Sequence, residues 1–276
     1  MTATFAAIQS VSAFADPAAN RMRLDALVRT AAANGARVIT APEAFLTGYM
    51  REDGSETWRL PDRPAFHRMR TRDPRGYAET VPGPSTAHFS ALAAELRIYL
   101  TVPLIEYVAA TDRFHNTVVL FGPDGAPLLH YRKLHPWPYV EVGWATPGDR
   151  GLQVVDTPFG RLGLLICFDF TYEIANLRAA GADTVLFSTA WYDVPNSPWF
   201  SAQLPALALQ HNINVVAANW SVAAPRTWHG YGQSRIVDCA GTILARASTD
   251  CGDEIVYAEV QGPGVGGQGS GTARAQ

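Results

Sequence analysis

The chain has 276 residues, 47% of them hydrophobic and 17% charged, with 22 Lys and Arg against 25 Asp and Glu for a formal net charge of -3. That length suits one large α/β domain with a sizeable core, and a slightly acidic balance without any basic run excludes the electrostatic footprint of a nucleic-acid binder. The longest apolar stretches, such as Leu162 to Phe168, fall far short of the roughly 20 residues a membrane-spanning helix needs.

In chain order, Ala3 to Gln9 reads as a strand. Residues 19 to 34 read as a helix, with Met22, Leu24, Leu27, Val28 and Ala31 at helical spacing and Gly35 as its stop. The short apolar run Ala36 to Ala41 ends at Pro42. A polar, weakly periodic stretch over 51 to 80 has the character of an insertion or lid loop. Ser85 is expected to cap a helix that runs to about Leu96, followed by a strand over Ile98 to Leu104. Strands at Asn116 to Phe121 and Ala126 to Tyr131 flank Gly122-Pro123-Asp124-Gly125, which has hairpin-turn composition.

Leu162 to Cys167, Thr184 to Ser188 and Val215 to Asn219 have the look of buried strands, with helices near 171 to 180 and 198 to 212 between them. The last strands fall near 231 to 238, 241 to 247 and 254 to 260. Alternating strands and helices imply a layered α/β domain over 1 to 260. Residues 261 to 276 are Gly-rich, with too little apolar content to fold on, and a disordered tail is expected there. Within it Gly264 to Gly269 spells a dinucleotide fingerprint, but too few residues follow for the helix that would hold a pyrophosphate.

The first cationic side chain is Arg21, so the Ala-rich start lacks the basic n-region of a secretory signal. Three cysteines, Cys167, Cys239 and Cys251, argue by their odd number against a disulfide framework and for a reducing, cytoplasmic compartment. Cys167 closes the apolar strand Leu162 to Ile166 and stands just before a helix, where a thiol can attack a carbonyl while the next backbone N–H faces the oxyanion. A free thiol titrates near about 8.5, so that role needs a base or a cation nearby. Candidates for the base are the seven histidines and the carboxylates at strand ends, among them Glu43 just past a buried strand, while Lys133, at the end of another strand, is a cation to be noted. None of the seven histidines forms a zinc-helix pair, and no metal site is expected. By themselves these residues leave a buried structural cysteine, a loop glutamate and a solvated lysine as open alternatives.

Taken together they do more. Ala41-Pro42-Glu43 through Gly48-Tyr49 resembles the glutamate segment of the nitrilase superfamily, the carbon-nitrogen hydrolases. Asn116-Thr117-Val118-Val119 through Tyr131-Arg132-Lys133-Leu134-His135 resembles its lysine segment, and Phe159-Gly160 through Cys167-Phe168-Asp169, with Glu173 beyond, its nucleophile segment. The three blocks fall in the family order. The resemblance implies a four-layer αββα sandwich, a catalytic set of Glu43, Lys133 and Cys167 with Glu141 as second glutamate, no cofactor, and a homo-oligomer. It implies hydrolysis of a small-molecule amide through a thioester on Cys167, with Glu43 as acid and base and with Lys133 and the Phe168 N–H on the oxyanion.

Phe168-Asp169 after the cysteine, where true nitrilases tend to have Trp-Glu, favours amides over nitriles. Thr157-Pro158-Phe159-Gly160 and Phe187 to Trp191 look most like the pantetheinase and biotinidase branch. Tyr49, Trp137, Tyr139, Phe168, Phe170, Trp191 and Tyr192 are candidates for pocket walls, with core or interface packing as the alternative for each. An acyltransferase or amide synthase using the same acyl-enzyme, a nitrilase, and a non-catalytic binding protein on the same fold are the other readings. A serine hydrolase is disfavoured because no G-x-S-x-G elbow occurs.

Overall fold

The computed structural model describes residues 3–48, 73–138, 141, 143–191, 199–221, 232–248 and 252–261. β1 (Ala3–Gln9) is followed by α1 (Pro17–Ala33), β2 (Ala36–Thr40), α2 (Pro84–Leu96), β3 (Tyr99–Val108), β4 (Arg113–Phe121) and β5 (Pro127–Arg132). The second half runs β6 (Val154–Thr157), β7 (Gly160–Ile166), α3 (Asp169–Ala179), β8 (Thr184–Thr189), α4 (Leu204–His211), β9 (Asn214–Asn219), β10 (Arg235–Val237), β11 (Ile243–Arg246) and β12 (Glu254–Val260). A π-helical turn, Trp199–Gln203, leads into α4.

The strands form two six-stranded sheets, ordered β12-β1-β2-β3-β4-β5 and β11-β10-β9-β8-β7-β6. β12 pairs antiparallel with β1 along its whole length, which ties the end of the fold to its beginning. Along β1 alternate side chains go to opposite layers: Phe5 and Ala7 join the packing between the two sheets, while Ala6 and Ile8 pack with Leu24, Val28, Phe89 and Leu92 of α1 and α2. Phe170, Ile174 and Leu177 of α3 and Leu204 and Ala208 of α4 join the core with the second sheet. The result is the expected αββα sandwich, and strands buried on both faces explain the near-continuous apolar runs.

Local chemistry sets the element ends. Asp16 caps α1 by accepting from the Ala19 N–H at 3.0 Å, with Pro17 in the first turn. The cap of α2 is Gly83 rather than the expected Ser85, whose N–H and hydroxyl both donate to Glu79, at 2.7 and 2.8 Å. β3 and β4 run beyond their expected ends because Glu106 and His115, which face each other in register, look like strand-terminating polar residues but are buried. β6 was not foreseen at all. It is four residues long and half exposed, so it carries no apolar run to announce it.

Within each sheet the parallel pairings β1-β2-β3 and β7-β8-β9 run in a common direction, and β5 shares the direction of β3 through the antiparallel β4. A parallel bridge between Ser10 and Trp220 joins the sheets where β1 and β9 end. The carboxyl ends of β2, β5, β7, β8 and β9 are thereby gathered at one end of the sandwich, the place where α/β sheets build their sites.

Candidate active site

Glu43 sits three residues past β2, in a turn that Ala44 permits by adopting φ 46° and that the Gly48 N–H closes on the Ala44 carbonyl at 2.7 Å. Gly48 is required there: its φ is +61°, and a Cβ would lie 2.9 Å from the Ala13 carbonyl oxygen. The Trp220 indole N–H donates to the Glu43 carbonyl at 2.8 Å, and the Ala190 N–H donates to its Oε2 at 2.9 Å. Asn219 fixes the segment that provides this N–H, because its side chain bonds both the N–H and the carbonyl of Trp191 at 2.8 Å.

Lys133 lies just past β5. Its N–H donates to the Asn116 carbonyl at 2.8 Å, and its carbonyl accepts from Gly148 at 2.8 Å. A Cβ on Gly148 would collide with the Arg132 carbonyl oxygen, so the loop carrying it can approach the lysine segment this closely only as glycine. The Lys133 ammonium donates to Glu43 Oε1 at 2.8 Å and to Glu141 Oε2 at 2.6 Å. Glu141 also accepts from the Trp137 N–H at 2.5 Å. All three charged side chains are buried, at 0 to 1% exposure, so they are held by one another rather than by water.

Cys167 stands outside β7, at the elbow between that strand and α3, with φ 42°. This left-handed conformation is uncommon for a residue other than glycine, and such outliers concentrate at functional turns. Its N–H donates to the Ser188 carbonyl at 3.0 Å and its carbonyl accepts from Phe170 at 3.0 Å, which starts the helix. Burial pushes the thiol well above its ordinary value and the charge of Glu43 adds to this, while Lys133 and the Thr189 hydroxyl pull it back. The resting group is therefore a thiol. Burial pulls the Lys133 ammonium down, but the charges of Glu141 and Glu43, with further help from Asp169, outweigh it and hold the pKa well above that of a free lysine. For Glu141, burial raises the carboxyl and the lysine opposes it.

Asp169 links two of these segments. Buried two residues beyond the cysteine, it accepts from the Tyr131 hydroxyl at 2.7 Å, the Leu134 N–H at 3.2 Å and the His135 N–H at 2.7 Å, so it ties the lysine loop to the elbow. On the other side Arg132 pairs with Glu106 through two bonds, at 2.6 and 2.9 Å, and with Asp149 at 2.8 Å.

The aromatic candidates separate. Trp137 is half-buried against the cluster of Ala44, Trp144, Ala190 and Trp220. Phe168 meets Tyr172 edge-on at 5.2 Å, and Trp191 stacks on Trp199 at 4.0 Å. Phe170 is a core side chain, fully buried with Phe187 at 4.6 Å and Trp199 at 5.7 Å. Tyr49, Tyr139 and Tyr192 lie outside the described residues, as do Cys251, residues 51 to 72 of the expected insertion and 262 to 276 of the expected tail. Among the described residues no group of three or more His, Cys, Asp or Glu side chains is arranged to hold a metal, and no described helix is long and apolar enough to cross a membrane.

Residues 4–267 match the carbon-nitrogen hydrolase family. The chain belongs to that family. Among curated relatives, the omega-amidase of Mus musculus is 30% identical over 252 residues, covering 87% of this chain and 82% of its own length, and that of Homo sapiens is 29% identical over the same span. These relatives are omega-amidases rather than pantetheinases or biotinidases, the branch suggested by motifs. Among solved structures, a branch 10 nitrilase-superfamily member from Saccharomyces cerevisiae superposes with a TM-score of 0.74 at 23% identity, covering 94% of this chain and 90% of that one. An amidase from Nesterenkonia sp. gives 0.72 at 21%, with the same coverage. Both carry the four-layer fold seen here. The protein is accordingly a carbon-nitrogen hydrolase, and its buried Glu43, Lys133, Glu141 and Cys167 all lie at the carboxyl end of its sheets.

Sequence reasoning missed the neutral partners of this carbon-nitrogen hydrolase site. Asn116, Thr189, Ala190 and Trp220 act through an amide, a hydroxyl and N–H groups. Asn116, at the start of the lysine segment, and Thr189 and Ala190, within Phe187 to Trp191, stood in motif blocks, but nothing in the sequence showed that they bond the charged groups.

Proposed function

We propose that the protein hydrolyses a small linear carboxamide through a thioester on Cys167. The observation that carries the reading is the closed set of buried charges: one ammonium bonded to two carboxylates, with a raised, protonated thiol in their field. A thiol in that condition needs a base at the moment of attack, and Glu43 is the carboxylate whose charge acts on it most strongly. The Cys167 sulfur forms a bond to the amide carbon as its proton passes to Glu43. Lys133 and the Phe168 N–H stand for the developing oxyanion, a contribution of roughly 3 kcal/mol for a single donor of this kind. The C–N bond then breaks, Glu43 returns the proton to the departing amine, and the thioester remains. Water, deprotonated by Glu43, releases the acid and restores the thiol.

The omega-amidases among the relatives support an amide as the scissile bond. Glu141 orients the ammonium. Trp137, Phe168 and Trp191, all partly exposed, are the described aromatics assigned to the pocket, with Tyr49, Tyr139 and Tyr192 added from sequence. No cofactor enters the scheme. A reducing, cytoplasmic setting is supported by Cys167 and Cys239, both free thiols. Self-association is supported by Tyr172 and Leu209, large side chains exposed on α3 and α4.

The test is intact-mass analysis after incubation with a mixed panel of linear amides and matched activated esters. Wild type should turn over both, and Glu43→Gln should acylate with the ester far better than with the amide and then stall as a Cys167 adduct. Loss on the amide should reach about 100 to 10,000-fold. Equal losses on both substrates with no trapped adduct would remove Glu43 from the shared acid and base role.

A further inference from the structure

Glu43 and Glu141 are both buried and share one ammonium, so the site holds more negative than positive charge. Two like charges in a closed, low-dielectric space repel, and the charge of Glu43 adds to burial in raising the Glu141 carboxyl. A second cation would cure this, but it would also make Glu43 too weak a base for a thiol that burial has pushed upward. The structure supplies a neutral donor instead. The Asn116 side-chain amide, in β4 and 1% exposed, donates one N–H to Glu43 Oε1 at 2.8 Å and the other to Glu141 Oε1 at 2.7 Å. Together with the Lys133 bonds of 2.8 and 2.6 Å this closes a ring of Glu43, Lys133, Glu141 and Asn116.

Chemistry fixes which way round the amide lies, because its carbonyl oxygen cannot face two carboxylates. That oxygen, buried and on the far side, has no partner among the described residues. Leaving an acceptor unsatisfied is costly, and the cost follows from committing both N–H bonds to the carboxylates. The Asn116 main-chain carbonyl also receives the Lys133 N–H at 2.8 Å, so one residue references the backbone of the lysine and both of its anionic partners.

We infer that Asn116 is a positioning residue that keeps Glu43 and Glu141 ionised and in register across Lys133 without adding charge. The inference rests on the reading of Glu43 as the base for Cys167. It is tested without substrate, by the pH dependence of Cys167 alkylation with iodoacetamide, followed by intact mass in wild type, Asn116→Leu and Asn116→Asp, with circular dichroism to confirm folding. Loss of a hydrogen bond to a carboxylate raises its pKa, so the acid limb of alkylation should move up by about one unit in Asn116→Leu, while rates converge toward wild type at alkaline pH. In Asn116→Asp a third carboxylate binds a proton in the cluster and the limb should move further up. Asn116→Asp keeps the shape of the native side chain, so it carries the same test where the leucine variant does not fold. An unmoved limb with a uniform loss of rate at every pH would show a merely structural role and overturn the inference alone. Wild-type alkylation without any acid limb would overturn it together with the assignment of Glu43.

Discussion

Removing the single cation of the buried cluster is the most direct test of how this site is held together. In Lys133→Met the side chain keeps its length and loses its charge, leaving Glu43 and Glu141 buried with Asn116 as their shared donor. Breaking a buried ion pair from one side destabilises a protein by about 3 to 5 kcal/mol, since the remaining charge is uncompensated. Two remaining carboxylates have an escape: one binds a proton. Its folded pKa is then raised above the unfolded value, so the variant is penalised least below the ordinary carboxylate range. The penalty grows as pH rises, and levels off once the raised folded pKa is passed. Within that window it should grow by about 1.4 kcal/mol per pH unit. The wild-type ammonium, with its pKa held far up, stays protonated across the whole range and adds no slope. Urea unfolding of both proteins from pH 4.5 to 8.5 gives the difference directly, and titrations elsewhere cancel in it. Lys133→Met combined with Glu141→Gln leaves one carboxylate and should recover much of the loss at pH 8, though not activity. A difference that stays flat with pH, or a loss below about 1 kcal/mol at pH 8, is incompatible with the ring of charges described above.

Asp169→Asn, which exchanges an acceptor of three bonds for a side chain that accepts through one oxygen only, should lower stability by about 1 to 3 kcal/mol and reduce kcat, as read by urea melts and steady-state kinetics. Gly148→Ala, whose Cβ would collide with the Arg132 carbonyl oxygen, should cost about 1 to 3 kcal/mol and displace Lys133, whereas Gly76→Ala, with nothing within 4 Å, should be near neutral in the same melts. Glu106 has its carboxyl held far below the usual range, because hydrogen bonds from His130 and Arg132 more than offset the upward push of burial. Its stabilisation is therefore present above the ordinary carboxylate range and is lost as pH falls through the depressed folded value, so Glu106→Gln should destabilise at pH 7 by about 3 to 5 kcal/mol and flatten the acid side of the stability curve.

What could be read from the chain and what could not divide along a physical line. A carboxylate beside a buried strand is improbable unless paired, and Glu43 stands out for that reason, whereas Lys133 is marked in the sequence only as a rare lysine in a chain that otherwise uses Arg and by its place in the lysine segment. Long strands buried on both faces, such as β8 and β9, were equally visible as apolar runs. Features whose cause lies in another part of the chain were invisible. The expected strands stop at Leu104 and start at Asn116, short of Glu106 and His115, because the Arg132 that pairs with Glu106 is 26 residues away. Ser85 read as a cap because the Glu79 that claims it precedes the helix. Phe170 read as a pocket wall because an aromatic next to a nucleophile gives no sign of which way it turns, and α3 turns it inward. Cys167 read as the last residue of a strand, although its positive φ takes it out of the sheet and into the elbow. The same line runs through the site. Its charges are written in the sequence, while the neutral groups that aim them, Asn116, Ala190, Asn219 and Trp220, come from β4 and from the ends of β8 and β9. A site whose charges sit on loops, and whose alignment depends on neutral donors fixed in or beside strands, can exchange substrate-facing residues without disturbing the ring. Substitutions at those neutral positions are therefore the ones expected to change the pH profile rather than the choice of substrate.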